Sequence, residues 1–254
     1  MPMHDFFVPE KSGVRLEDCY FYHTVDLPGV GTRGGEWDLR GKTREYFGGL
    51  EFSGKRVLEC GTASGGLCFE LERLGAEVVG FDLSPEHHWD LVPFAGLITA
   101  ERSDDSRRHH IGRINNAWWF TRRAVGSRAN LVHGTIYQPP TTEPEFDVVT
   151  LGSILLHLRD PILALTNAAR LSRDTLVVTD VAVPPGQESR MGETGLLFLP
   201  DPETRQPYET WWLFSERFIV RLLRILGFRE IGVTRHVQQA RHGPMNLFTV
   251  VARR

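Results

Sequence analysis

The chain has 254 residues, of which 41% are hydrophobic and 24% charged, and this excludes collagen-like, low-complexity and wholly disordered proteins. Its formal net charge of −3 supplies no global field that would recruit nucleic acid or an anionic membrane, so we expect neither as a partner. This length is typical of one large domain, and we expect residues 1–254 to form a single domain.

Cysteine usage and the N-terminal residues both indicate the cytoplasm. Cys19, Cys60 and Cys68 lack CxxC or CxxH spacing, which favours reduced thiols and predicts no metal site. Residues 1–15 lack the apolar run of a signal peptide, and no segment reaches the ~18 apolar residues that cross a bilayer. We therefore expect a cytoplasmic protein without a metal ion.

Short apolar runs alternate with helical patterns along much of the chain, which predicts βαβ units and a parallel sheet. In chain order the predicted elements are a strand at 56–60, a helix at 65–74, strands at 77–82, 130–135 and 147–152, a helix from Asp160-Pro161 to about 171, a strand at 175–183, and a helix that Ser215 caps and Gly227 ends. The last helix is expected to face the core with Phe218, Leu222, Ile225 and Leu226.

The two final strands, 230–236 and 247–252, are predicted to form an antiparallel hairpin. The connection of about ten residues is too short for a helical crossover. Three stretches fall outside the alternation of strands and helices: 1–50, 86–129 and 184–214. We expect them to be an N-terminal segment and two inserts, and the apolar spacing within 111–125 predicts that part of the first insert is helical.

The turn after the first predicted strand is rich in small residues and opens a helix directly. It reads Glu59-Cys60-Gly61-Thr62-Ala63-Ser64-Gly65-Gly66. Small residues let the backbone approach a ligand and aim the N–H groups of the helix N-terminus at it. Asp82 closes the second strand, where a carboxylate can accept hydrogen bonds from both hydroxyls of an adenosine ribose. The pattern predicts a site for an adenosine cofactor.

Two cofactor classes fit this turn. Gly61-x-Ala63-x-x-Gly66 is a degenerate dinucleotide fingerprint, which would make the chain an NAD(P)-dependent oxidoreductase. Glu59-x-Gly61-x-Ala63-x-Gly65 resembles the acidic-x-Gly-x-Gly-x-Gly motif of class I S-adenosylmethionine-dependent methyltransferases, with alanine in place of the middle glycine. We prefer the second interpretation because Glu59 would repel a pyrophosphate and because that fold also ends in an antiparallel pair. A turn without a ligand and a cofactor-binding protein without catalysis are the remaining alternatives.

A second segment narrows the resemblance. Residues 152–161 (GSILLHLRDP) resemble the segment after the fourth strand in methyltransferases related to the tRNA wobble-uridine carboxymethyltransferases. Residues 21–24 (FYHT), with Gly35-x-Trp37-Asp38, resemble the N-terminal segment of that group. The resemblance covers most of residues 20–235. It implies an α/β, Rossmann-like class I methyltransferase sheet, with S-adenosylmethionine across the ends of the first two strands and with N-terminal and inserted helical cap segments over the active site.

The resemblance and the strand ends together select candidate site residues. His157, just past the fourth strand, is the first candidate for a catalytic base, and His23 and Tyr22 are candidates in an N-terminal lid; shaping or packing of the pocket is the alternative for each. The expected cofactor contacts are Glu59, Gly61, Thr62, Ala63, Ser64, Gly65, Asp82, Leu83, Tyr137, Gly152 and Ser153.

The acceptor is expected to be a small organic molecule, aromatic or apolar, because tryptophans concentrate outside the predicted sheet. The candidates to bind it are Trp37, Trp118, Trp119, Trp211 and Trp212, with core packing as the alternative. Residues 101–128 also hold seven arginines, which form a solvated helix face or contact a phosphate or carboxylate. A tRNA-modifying (carboxy)methyltransferase is the alternative within this chemistry, and the acidic net charge counts against it.

Overall fold

An eight-stranded sheet with helices packed on both faces organises the computed structural model, which describes residues 1–96, 104–141, 144–184, 186, 191 and 195–254. The strands are β1 (Val25–Leu27), β2 (Gly31–Arg33), β3 (Trp37–Asp38), β4 (Arg56–Cys60), β5 (Glu77–Asp82), β6 (Asn130–His133), β7 (Phe146–Gly152), β8 (Ser172–Val181), β9 (Leu196–Phe198), β10 (Trp212–Phe214), β11 (Glu230–Ala240) and β12 (Gly243–Arg253). The α-helices are α1 (Thr43–Tyr46), α2 (Gly66–Arg73), α3 (Asp104–Val125), α4 (Pro161–Leu171) and α5 (Glu216–Ile225).

The strand order in the main sheet is β3-β11-β12-β8-β7-β4-β5-β6. The five strands from β8 to β6 are parallel, whereas β12 runs antiparallel to β8 and forms a hairpin with β11. This arrangement confirms the predicted mixed sheet. The hairpin is longer than predicted, because the ladder continues to the pair Ala240 and Gly243 at its tip.

The central strands are buried on both sides. The adjacent residues Val57 and Leu58 of β4 are each fully buried, but they belong to the cores on opposite faces. Side chains of α4 and α5 pack into the core that contains Leu58, and side chains of α2 and α3 pack into the one that contains Val57. Burial on both faces is typical of parallel strands covered by crossover helices, and it explains why these strands read as continuous apolar runs.

The predicted insert at 86–129 needs correction. Its second half is α3, the crossover helix between β5 and β6, so this part belongs to the sheet architecture and is no separate cap. Ile111, Ile114 and Ala117 lie on its buried side as the helical spacing predicts, whereas Val125 is exposed. Residues 97–103 of this stretch lie outside the described part of the chain.

The other two stretches are also less helical than expected. Residues 1–50 contain short 3-10 turns, the β1–β2 pair, β3 and the single-turn helix α1. The described part of 184–214 contains β9 and β10, which pair with each other, whereas residues 185, 187–190 and 192–194 of that stretch are outside the description. The described parts of these two stretches therefore consist mainly of turns and short strands.

The inward face of α5 is shifted from the prediction. Ile219 and Leu223 are fully buried, Phe218 and Leu222 flank them, and Ile225 is 79% exposed. The reason is that Ile219 and Leu223, four residues apart, form the row that meets the sheet, so Ile225 points away from it. No helix in the described ranges is long and apolar enough to cross a membrane.

Candidate active site

The turn between β4 and α2 has a tight and partly left-handed backbone. Gly61 has φ +78°, and a Cβ there would lie 2.3 Å from Cγ2 of Ile154, so only glycine fits. Ala63, which stands where the motif has its middle glycine, also adopts a left-handed φ of +47°. Its amide donates a hydrogen bond of 2.5 Å to Oδ2 of Asp82. This bond holds a conformation that costs an alanine about 1–3 kcal/mol.

Asp82 joins the turn to the end of β5. Besides the bond from Ala63, its Oδ1 accepts from the Leu83 amide at 2.7 Å. Burial raises the pKa of Asp82, and these two backbone bonds partly oppose that rise. A carboxylate offers about four acceptor positions, so two remain for further donors. The sequence predicts Ala63, Asp82 and Leu83 as separate cofactor contacts. In the structure the two hydrogen bonds to the Asp82 carboxylate connect all three residues.

Glu59 lies beneath the same turn. Burial raises its pKa to about 8, and the charge of Asp82 adds to this rise. Its Oε2 is buried and bonds to no residue in the described ranges. A buried acceptor without a partner is costly, so this atom is ready to receive a donor such as an ammonium group.

The N-terminal segment covers the turn through its backbone. Oγ of Ser64 accepts hydrogen bonds from the amides of Tyr22 at 2.9 Å and His23 at 3.2 Å. A Cβ at Gly66 would lie 2.5 Å from Cβ of His23, so the start of α2 approaches this segment closely. Burial lowers the pKa of His23 to about 4, which keeps the imidazole neutral at physiological pH. The predicted lid residues therefore do contact the turn.

The segment after β7 forms a third part of the site, besides the turn and the N-terminal segment. Ser153 has φ +52°, and its amide donates to the carbonyl of Thr179 at 2.7 Å. Its hydroxyl lies 3.3 Å from the hydroxyl of Tyr46, and a Cβ at Gly152 would lie 2.7 Å from that same oxygen. Gly152 and Ser153 are thus at the carboxyl end of the sheet, where ligands bind in open α/β folds.

His157 follows in a 3-10 turn with its tautomer defined by its partner. Nδ1 lies 2.6 Å from the backbone carbonyl oxygen of Glu209. A carbonyl can only accept, so Nδ1 carries the proton, and the neutral ring presents a lone pair at Nε2. Burial lowers the pKa of His157 and favours this neutral form. The residue has the properties of a base.

The hydroxyl of Tyr137 is held next to this segment. Its hydroxyl donates to the carboxylate of Asp90 and accepts from the amide of Asp160 at 3.1 Å. The predicted contact of Tyr137 with the cofactor would therefore use its ring and not its hydroxyl.

Four of the five tryptophans predicted to bind the acceptor either pack in the core or hydrogen-bond to the backbone. Trp118 and Trp119 are buried in the core beside α2, where Trp118 packs against Phe69 with ring centres 5.3 Å apart. Trp211 donates through Nε1 to the carbonyl of Asp90 at 2.6 Å, and Trp212 donates to that of Leu158 at 3.0 Å. Because their rings are committed to packing and anchoring, we remove these four from the acceptor site. Trp37 is the one that lines the cavity described next.

A cavity of about 530 Å³ opens beside the N-terminal segment. Two ion pairs line it: Arg107 with Glu209, and Arg241 with Glu36 at 2.9 Å. Tyr22 joins the cavity to the cofactor turn, since its amide binds Ser64. The lining residues are Tyr20, Tyr22, Glu36, Trp37, Trp89, Ser106, Arg107, His110, Tyr208, Glu209, Ala240, Arg241 and His242.

Most of these lining residues were not selected from the sequence. The arginine cluster in 101–128 is a usable signal for Arg107, but the sequence favours a solvated helix face as its interpretation. Glu36, Glu209 and Arg241 gave no local signal, because they come from separate segments that only the fold brings together. In the described ranges no cluster of three or more His, Cys, Asp or Glu residues has an arrangement that could hold a metal ion.

Comparison with known proteins agrees with this architecture. Residues 36–231 match the model of a methyltransferase domain family. No sequence relative was found among curated proteins. Similar folds include a S-adenosylmethionine-dependent methyltransferase from Methanosarcina mazei (18% identity, TM-score 0.56, covering 85% of this chain and 98% of that one). They also include the 1,6-didemethyltoxoflavin-N1-methyltransferase of Burkholderia thailandensis (15%, 0.55, 85% and 77%) and the [4+2]-cyclase SpnF (14%, 0.52, 84% and 78%).

The cyclase shows that this fold by itself does not define a reaction, so the family match carries the assignment. The family match also favours the methyltransferase interpretation of the Gly61 turn over the dinucleotide interpretation. The chain therefore belongs to the methyltransferase domain family, and it is a methyltransferase with the Rossmann-like fold of the S-adenosylmethionine-dependent enzymes.

Proposed function

We propose that this methyltransferase takes its methyl group from S-adenosylmethionine and transfers it to a small organic molecule bound in the cavity of about 530 Å³. One observation carries the proposal: the segment of Tyr22 and His23 lines the cavity at Tyr22 and binds the cofactor turn at Ser64. A donor held by the turn and an acceptor held in the cavity would thus both border this segment, where the two ligands can meet.

The donor set of the turn suits S-adenosylmethionine. The unpartnered Oε2 of Glu59 suits the ammonium of its amino-acid portion, and the remaining acceptor positions of Asp82 suit the ribose hydroxyls. Gly61 lets the turn lie directly against Ile154, where a Cβ would not fit. We assign to the same ligand the backbone at Thr62, Gly65, Gly152 and Ser153 and the ring of Tyr137.

When bound, S-adenosylmethionine supplies an electrophilic methyl group on a sulfonium. The chain then has to align the nucleophile and exclude water, which can supply an effective molarity of up to ~10⁵–10⁸ M for well-oriented groups. Tyr22 and Trp37 would cover the acceptor. Where the acceptor must lose a proton, Nε2 of His157 would receive it, because Nδ1 already carries a proton, which is hydrogen-bonded to the backbone carbonyl oxygen of Glu209. His23 is neutral and buried, so its role would be to shape the lid.

The size of the cavity and its five aromatic side chains, Tyr20, Tyr22, Trp37, Trp89 and Tyr208, support a small acceptor. Small-molecule sites are concave, largely aromatic or apolar, and roughly 300–1,000 Å³ in volume. The similar enzyme from Burkholderia thailandensis has a small molecule, 1,6-didemethyltoxoflavin, bound together with S-adenosylhomocysteine. The second candidate is a tRNA wobble-uridine (carboxy)methyltransferase, which residues 21–24 and 152–161 favour by resemblance, and which the net charge of −3 disfavours.

Transfer of an isotope-labelled methyl group tests the proposal. The protein is incubated with S-adenosylmethionine that carries a trideuterated methyl group, once with a small-molecule extract and once with total tRNA. We expect a product three mass units above ordinary methylation in the extract, together with S-adenosylhomocysteine, and no label in tRNA nucleosides. Label in tRNA alone would establish the second candidate, and label in neither pool would reject both.

A further inference from the structure

The cavity contains a cation whose hydrogen-bonding capacity is only partly used. Arg107 enters from α3, and 13% of its side chain is exposed. Its Cζ lies 5.1 Å from the ring centre of Trp89 and 5.4 Å from that of Tyr208. Contact with two rings fixes the plane of the guanidinium, so its N–H donors have defined directions before any ligand arrives.

The donors of Arg107 are unequally occupied. Nη1 pairs with the carboxylate of Glu209, whereas Nε is buried and bonds to none of the described residues. A guanidinium has five N–H donors in a fork that matches the two oxygens of a carboxylate. A buried donor without an acceptor is unfavourable, so this side of the cavity has an unmet requirement for an anion.

Glu209 is suited to leave this position. Its side chain is 40% exposed, three times the exposed fraction of Arg107, so its carboxylate can turn to water at low cost while the arginine cannot. The link to His157 uses the backbone carbonyl of Glu209 and does not need the carboxylate.

The other ion pair of the cavity is fully engaged. The carboxylate of Glu36 accepts from the hydroxyl of Tyr20 and from Nη1 of Arg241, and its backbone carbonyl accepts from the Arg241 amide at 2.7 Å. The side chain of Arg241 is 61% exposed and well hydrated. Of the two arginines, Arg107 is thus the one whose buried guanidinium favours binding of an anion.

We propose that the methyl acceptor is a planar molecule with a carboxylate, which binds Arg107 in place of the Glu209 side chain while its ring packs against Tyr22, Trp37 and Trp89. This inference rests on the proposed function. A single negative charge is favoured over a dianionic phosphate. The two arginines and two glutamates of the cavity balance in charge, so a carboxylate that replaces Glu209 keeps this balance, whereas a dianion adds an uncompensated negative charge.

Binding of an acid and its amide tests the charge requirement. The probes are 2-naphthoate and 2-naphthamide, titrated by tryptophan fluorescence into protein saturated with S-adenosylhomocysteine. We expect the acid to bind roughly ten- to a hundredfold more tightly than the amide, as for a charge-assisted hydrogen-bonded pair. Arg107→Gln should bind both equally. Arg108→Gln, on the same helix and paired with Asp104 outside the cavity, should keep the preference.

Glu209→Gln should change the affinity for 2-naphthoate in the direction opposite to Arg107→Gln. Removing the competing carboxylate should tighten 2-naphthoate several-fold and leave 2-naphthamide unchanged, and this holds even if Arg107→Gln fails to fold. Equal affinity of acid and amide for the wild type, no binding of either at their solubility limits, or weaker acid binding by Glu209→Gln would overturn the proposal. Absence of S-adenosylhomocysteine binding would instead reject the proposed function, whatever the naphthoate result.

Discussion

Glu59 combines a buried carboxyl group, an oxygen that bonds to none of the described residues, and a pKa of about 8. At neutral pH it is mostly protonated, because burial penalises the charged form. A bound ammonium would reverse this balance by pairing with the carboxylate. Binding of the methyl donor is therefore expected to remove a proton from Glu59, which makes this residue an internal reporter of the cofactor site.

The same burial makes stability depend on pH. Burial raises the pKa of Glu59 from 4.5 to about 8, so the folded chain holds this proton more tightly than the unfolded chain. The contribution is fully present below about pH 4.5 and is lost as the pH rises through about 8. Asp180, whose pKa burial raises to about 7, acts in the same direction.

Glu59→Gln should therefore show a shallower fall in Tm between about pH 6 and pH 8 than the wild type. The measurement is calorimetric unfolding of the ligand-free protein across that range. Glu51→Gln, which changes an exposed carboxylate (77% exposed), should keep the wild-type slope. Identical slopes for Glu59→Gln and the wild type would show that Glu59 does not titrate in this window.

His157→Asn separates catalysis from positioning. The asparagine amide can still donate to the carbonyl of Glu209, but it lacks a basic nitrogen in place of Nε2. We expect kcat to fall by about 10²–10⁴-fold with the methyl acceptor found by label transfer, while S-adenosylhomocysteine affinity and Tm stay within error. A variant with wild-type kcat would limit His157 to shaping the pocket.

At the level of elements, local patterns predicted the sheet well and the surroundings of α3 poorly. The sequence predicts β4, β5 and the turn between β4 and α2, because the small residues, the apolar runs and Asp82 are all close in sequence. Trp118 and Trp119 are candidates for the acceptor site because tryptophans concentrate outside the predicted sheet. The long segment between β5 and α3 hides that α3 is the crossover helix. An aromatic residue at helical spacing is ambiguous until the partner surface is known, and here that surface is α2.

The start of α4 gives a direct test of local stability. Oδ1 of Asp160 accepts from the Leu163 amide at 2.9 Å, while Pro161 occupies the first helical turn. Asp160→Ala should lower the free energy of unfolding by about 1 kcal/mol, as for other helix caps. Urea denaturation measures this, and Asp160→Asn should retain most of the stability because its side-chain oxygen can accept the same bond. A loss shared equally by both variants would refute the capping role.

At the level of the whole molecule, the cavity is a product of tertiary structure. Its walls come from the N-terminal segment, α3, residues 208–209 and the tip of the β11–β12 hairpin. The hairpin reaches Glu36 because its ladder extends to Ala240, four residues beyond the predicted end at 236. Strand ends are weakly specified by sequence, since propensity decides little where a hairpin projects beyond the sheet. The sequence therefore predicts the donor site, whereas it does not predict the ion pairs of the cavity.

Calorimetric binding of S-adenosylhomocysteine tests the central claim, that the turn of residues 59–66 and Asp82 form the methyl-donor site. We predict binding by the wild type and a loss of about 1–3 kcal/mol for Asp82→Asn, whose side chain has one acceptor oxygen instead of two. Asp147→Asn, at the opposite end of the sheet where Asp147 accepts from the Arg56 amide at 2.8 Å, should bind normally. Binding of NADH without S-adenosylhomocysteine, or unchanged affinity in Asp82→Asn, would contradict the account.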